Sequence, residues 1–200
     1  MVMQIDRFAF RFPVDDWARW PVGEGIEPVA DDLAVRYADG SGAQEVVRRS
    51  VIAVNADALT KNGIALHQGI WIPDRSTGEG MAMLESFLWG LPKRADLSAE
   101  EFLARRNLRT DMGRGSKVFD YDTRIIDVPA GHSATETYTI RFRHEKIIQA
   151  YLRFSIFPEG THDAFCLQIT TVHLDLMKGL AEQLRIIAES VELTLWDAPK

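Results

Sequence analysis

The chain has 200 residues, of which 23 are Lys or Arg and 29 are Asp or Glu, for a formal net charge of −6, and 46% are hydrophobic. This is an ordinary globular composition that excludes a disordered or collagen-like chain, and a chain of this length buries roughly 70% of its unfolded surface without needing a metal or disulfide. The lone cysteine, Cys166, excludes an internal disulfide framework. No segment reaches the ~18 uninterrupted apolar residues of a membrane span, Met1-Val2-Met3-Gln4-Ile5-Asp6-Arg7 lacks a secretory pattern, and the negative charge argues against duplex nucleic acid. The expectation is one cytoplasmic domain over residues 1–200, with neither membrane nor nucleic acid as partner.

Ile5 to Phe12 alternates, with Phe8, Phe10 and Phe12 on one face at period two, which predicts a half-buried strand ended by Pro13. Trp17, Trp20 and Pro21 follow as a turn or short helix, and Gly23 to Gly42 reads as loop with a short strand near Leu33-Tyr37. Ala43 to Asn62 is ambiguous. Its many β-branched residues suit a strand, but Val47, Val51, Val54 and Ala58 fall at helical spacing, Ser41 and Gln44 form a capping box, and Gly63 sits at C′. We read it as helix. Ile64 to Pro73 and Met81 to Leu91 form a hairpin around the turn residues Asp74 to Gly80.

Ser98-Ala99-Glu100-Glu101 is a capping box, with Leu97 placed to staple onto Phe102, and starts a helix from Ala99 to Arg109. Strands follow at Val118–Val128, Ala134–Arg143, Lys146–Phe157 and Ala164–Leu174, separated by short turns and therefore antiparallel. An amphipathic helix carries Leu176, Met177, Leu180, Leu184, Ile187, Ala188 and Val191, and Leu193–Trp196 is a short edge segment. Helices on an antiparallel sheet give an α+β sandwich.

No motif fixes a reaction. Gly131-His132-Ser133-Ala134-Thr135 lacks the last glycine of a nucleophile elbow and leads into a strand rather than a helix. Gly113-Arg114-Gly115-Ser116-Lys117 has Ser before Lys, the reverse of a phosphate loop, and leaves Gly113, Gly115 and Lys117 as a loose anion nest at most. His144 and His173 are too few for a metal site, and Cys166 has no cationic sequence neighbour to lower its pKa. We expect no catalytic residues, no cofactor and no metal.

Charge and aromatics say more. Met1 to Glu45 holds nine acidic and four basic residues, a net of −5, whereas Leu103 to Arg124 holds six basic and three acidic, a net of +3. Arg105, Arg106 and Arg109 are read as a basic docking face. Trp17 and Trp20, in a polar segment, are read as exposed interface anchors.

Phe8-Ala9-Phe10-Arg11-Phe12-Pro13 followed by Trp17 resembles the opening of PsbP-like domains. The capped helix from Ser98, the turn Pro129-Ala130-Gly131-His132-Ser133-Ala134, and the closing hairpin and helix ending Ile187-Ala188-Glu189-Ser190-Val191 resemble that family's middle and end; Gly23 to Gly63 does not match it clearly. The resemblance implies an α/β/α sandwich around an antiparallel sheet and a non-catalytic role as partner-binding protein, assembly factor or chaperone. Photosynthetic members are exported and many bacterial relatives are lipoproteins; without a signal or lipobox in this chain, the expectation is a cytoplasmic adaptor with a protein partner, compatible with a homodimer. The alternative is a small-molecule binder or enzyme with a pocket between the curved sheet and the C-terminal helix.

Overall fold

A computed structural model describes residues 3–60, 65–90, 98–106, 116–142, 147–161 and 163–197. Two compact units make up the chain: Val14–Phe87, and Met1–Pro13 together with Leu88–Lys200. Among the described residues no helix is long and apolar enough to cross a membrane.

In the first unit, β2 (Trp17–Pro21) pairs antiparallel with β3 (Ala65–Trp71), which pairs antiparallel with the start of β4 (Ala82–Gly90). The expected hairpin of β3 and β4 is present. Its turn depends on Gly78, whose φ is +68° and where an added Cβ would collide with the Ala43 carbonyl. Two helices, α1 (Glu27–Tyr37) and α2 (Ser41–Thr60), cover one face of β2 and β3. Helix α2 is the predicted one, with Ala43, Val47, Val51, Asn55 and Ala58 buried along one stripe. Its expected C′ glycine, Gly63, lies outside the described residues. Asn55 accepts a hydrogen bond from the Gly23 amide at 3.2 Å and donates to the Gly23 carbonyl at 2.8 Å, tying the loop before α1 to the helix.

Two readings are corrected here. The segment read as loop is helix α1: Pro28 lies in its first turn, and Ala30, Leu33 and Ala34 are buried against α2. The segment with Trp17 and Trp20 is strand β2, and the two indoles are 2% and 1% exposed. Trp20 packs with Leu33, Val47, Val51 and Ile70. On the opposite face Trp17 pairs across the ladder with Trp71 and lies over Gly69. Both belong to the core and are not exposed anchors.

The second unit is built on the antiparallel order β8-β7-β6-β5, from β5 (Ser116–Val128), β6 (Gly131–Phe142), β7 (Ile148–Phe157) and β8 (Asp163–Thr171). Gly131 (φ +145°) turns β5 into β6 where a side chain would strike the Phe157 carbonyl. Burial on both sides of β7 and β8 follows from helices on both faces. Helix α3 (Ala99–Arg105) lies on one face, with Phe102 against Phe157 at 5.4 Å. Helix α4 (Met177–Glu189), entered through a 3₁₀ turn at Leu174–Leu176, packs on β7 and β8 and buries Leu180, Leu184 and Ile187. The predicted capping box at α3 is seen in the Ser98 hydroxyl, which accepts the Glu101 amide at 3.2 Å, and α3 ends at Arg105 rather than Arg109.

The first strand is β1 (Met3–Ala9), which ends before Phe10 and Phe12 and not at Pro13 as expected, and the predicted last segment is β9 (Glu192–Asp197). They pair antiparallel, Met3 opposite Asp197 and Ala9 opposite Glu192. Phe8 and Phe10 stack at 6.1 Å and both reach Phe165 of β8. The Arg11 amide donates to the Ser190 hydroxyl at 2.8 Å.

Candidate functional site

The basic docking face expected on α3 is divided by the structure. Arg105 is exposed in the last turn of the helix. At Arg106 the backbone leaves helical geometry (φ −66°, ψ 122°), and the side chain enters the protein instead of extending the face. Its Nε donates to Glu136 Oε1 of β6 at 3.0 Å. Arg109 lies outside the described residues, as do Gly113 and Gly115 of the expected anion nest. Lys117 is exposed on β5, its ammonium 4.7 Å from the centre of the Phe119 ring.

Glu136 is the hub of this site. Its carboxylate is wholly buried, while the side chains of Arg106 and Arg153 that flank it are 8% and 7% exposed. The strand register dictates the arrangement: Arg153 of β7 is directly opposite both Glu136 of β6 and Gln168 of β8, so all three point to the face under α3. Arg153 donates to Gln168 Oε1 through Nε at 3.0 Å and to Glu136 Oε2 at 3.5 Å. Both guanidiniums lie over the Trp89 ring, at 5.5 Å for Arg106 and 5.2 Å for Arg153. Two cations around one anion would be costly in a dry core without such partners. The hydrogen bonds and the indole face supply them, and the triad clamps α3 to the sheet.

Tyr121 joins this buried network to the surface. Its hydroxyl donates to Glu136 Oε1 at 3.2 Å, and burial together with the Glu136 charge pushes its pKa up to about 12. Beside it Tyr138, stacked on Tyr151 at 5.1 Å, is also raised by burial. Neither phenol is a base at neutral pH. Tyr121 follows Asp120, whose φ of +52° marks a bulge in β5 where the ladder shifts between Phe119 and Asp122. Beyond the bulge β5 runs regularly to Val128, and among the described residues no strand pairs with its outer edge. Tyr121 and Ile125 are 44% and 42% exposed there.

Other candidate chemistry is tied up. Cys166 is fully buried, its thiol pushed up to about 11 by desolvation and 3.5 Å from the Ser155 hydroxyl. Burial and, less strongly, Arg19 hold the His67 imidazole below its ordinary pKa. Among the described residues no three His, Cys, Asp or Glu side chains gather as a metal would need. In the first unit Asp15, Asp16, Arg19, Arg36, Tyr37 and Arg75 line an open polar cleft of about 400 Å³. Sequence reasoning missed both this cleft and the Glu136 hub, because each joins residues far apart in the chain.

No protein-family model matches the sequence, and no curated protein matches it. Solved structures do match. The solution structure of cyanobacterial PsbP (CyanoP) from Synechocystis sp. is similar over 96% of this chain and 93% of that one, with a TM-score of 0.50 and 10% sequence identity. At that identity the likeness speaks for the backbone and not for the site. With its antiparallel sheets and flanking helices, the chain has the PsbP-like α+β fold.

Proposed function

We propose that the protein is a non-catalytic partner-binding module of adaptor or chaperone type, acting in the cytoplasm. The observation that carries this reading is the outer edge of β5, unpaired among the described residues, which presents Tyr121 and Ile125 to solvent on a strand anchored from beneath by a buried ion network. An edge strand offers unpaired backbone donors and acceptors to another chain, and Tyr121 is held by its hydrogen bond to Glu136, so less side-chain freedom is lost on contact. Arg105 adds an exposed positive charge on α3 for an acidic partner. The buried thiol and the paired Glu136 favour structural roles for the residues that chemistry would otherwise use.

The test is native mass spectrometry of the protein purified gently from its own host, beside a Tyr121→Asp, Ile125→Asp variant. A protein that accompanies the wild type at fixed stoichiometry and is lost from the variant supports the reading. A partner retained by the variant, or none with either, counts against it. The polar cleft of the first unit favours a second reading, binding of a small charged ligand; a bound small molecule that disappears on Arg75→Glu would support that instead.

A further inference from the structure

The bulge of β5 spans Asp120 and Tyr121 and the regular ladder runs from Asp122 to Val128; from the second bulge residue the strand reads Tyr121-Asp122-Thr123-Arg124-Ile125. From either end the order is apolar, charged, threonine, oppositely charged, apolar. We infer that two copies of this chain pair antiparallel through β5, with a two-fold axis at Thr123. The inference rests on the reading of β5 as an interaction edge and names a second copy as its occupant.

The register follows from elimination. In a two-fold antiparallel pair, residues whose amides point outward must face residues of the same kind, so the axis falls at a residue and every pair has the same even sum of numbers. An axis at Asp122 puts two aspartates face to face, and one at Arg124 puts two arginines face to face. An axis at Tyr121 sets Asp120 against Asp122. Directly opposed like charges disfavour all three. An axis at Ile125 leaves Asp122 facing Val128 and Asp127 facing Thr123, with no charge matched.

Only the axis at Thr123 sets Asp122 against Arg124 with no like charges opposed. Asp122 then faces the second copy's Arg124, Thr123 faces its Thr123, and Tyr121, at the end of the bulge, falls next to its Ile125. Aromatic with β-branched, opposite charges and paired threonines are the favourable cross-strand combinations. Each contact occurs twice except the one on the axis, as a self-complementary interface requires. The side chains are available for it. Arg124 and Asp122 are 72% and 60% exposed and already lie 3.1 Å apart on the same face of their own strand. Pairing two copies makes a ring of four alternating charges. The bulge at Asp120 and Tyr121 meets the second copy's Ile126 and so bounds the ladder at both ends, which guards the edge against longer, unregistered pairing.

The test uses purified full-length protein in sedimentation velocity. Wild type is expected to dimerise. Asp122→Lys and Arg124→Asp each turn both ion pairs into repulsions and should raise the dissociation constant at least about tenfold. An equimolar mixture of the two variants restores complementary charge at both pairs, so the mixed dimer should form in preference to either homodimer, identified by its mass in native mass spectrometry. As a second measurement, Thr123→Cys should give a covalent dimer on mild oxidation, since Cys166 is buried and cannot compete, while Lys117→Cys, beyond the bulge, should not. A wild-type protein that is monomeric at its highest soluble concentration overturns the inference, and does so even if β5 variants still lose a different co-purifying partner. A dimer indifferent to both charge variants, with no preference for the mixed pair, overturns it equally.

Discussion

The two faces of the β8-β7-β6-β5 sheet are cut from the same strands and buried by opposite means. Under α4, Leu152, Phe154 and Ile156 of β7 meet Phe165, Leu167 and Ile169 of β8, all buried, below Leu180, Leu184 and Ile187. Under α3 the alternate residues are Arg153 and Ser155, Cys166 and Gln168, with Glu136 alongside and Arg106 descending from the helix end. The apolar face depends on area and close packing and tolerates reshaping. The polar face depends on complete partnership: each group is secure only while its neighbours remain, since a buried charge left alone costs more than the pair contributes.

The largest effect should come from breaking that partnership. Glu136→Ala strands two buried guanidiniums and should destabilise the protein by about 3–5 kcal/mol in urea unfolding. Replacing all three charges by apolar residues of similar size (Arg106→Met, Glu136→Leu, Arg153→Met) should cost far less than Glu136→Ala alone. If the triple variant is the worse of the two, the contrast between the faces fails. On the apolar face Leu184→Ala opens a cavity and should cost roughly 3 kcal/mol, with recovery in Leu184→Met. Ser98→Ala removes the hydroxyl that caps α3 and should lower stability by about 1 kcal/mol, seen as a shift in the urea midpoint with an unchanged slope.

The smallest effect is a pH dependence confined to the polar face. Folding raises the Cys166 thiol from 9.0 to about 11 and the Tyr121 phenol from 10.0 to about 12. Both groups hold their protons more tightly in the native state, so their contribution is complete below pH 9 and is lost as the pH climbs through the folded values. Melting temperature should therefore fall between pH 9 and 12, and fall less steeply in a Cys166→Ala, Tyr121→Phe variant. Over the same range the Cys166 thiol of the native protein should stay unreactive toward a disulfide reagent until unfolding exposes it.

Local signals were legible wherever one residue type sat at a defined offset. The Ser98 cap, the alternation of β6 and β7, and the apolar stripe of α4 are all written within a dozen residues. Helix α1 was obscured by its glycine-flanked, acidic surroundings, although Pro28 in its first turn and Ala30, Leu33, Ala34 and Tyr37 along one stripe carried the pattern. Strand β2 was too short for its period to outweigh the prolines around it. The fate of Arg106 was not written locally at all. Beside Arg105 it reads as half of a basic pair, and only the register that sets Glu136 opposite Arg153 gives it a buried anion to meet.

The pairing of β1 with β9 also bears on how the chain is made. Phe8 finds its ladder partner only when Leu193 has been synthesised. At the usual ribosomal pace of ~5–20 residues per second, that is about 10–40 s later. For most of that interval the first strand, followed closely by Phe10 and Phe12, lacks the strand that will hold it. The opening segment is thus the natural place for a holding chaperone to engage during translation, and a polar residue in place of Phe8 or Phe10 should lessen that dependence at the expense of the finished fold.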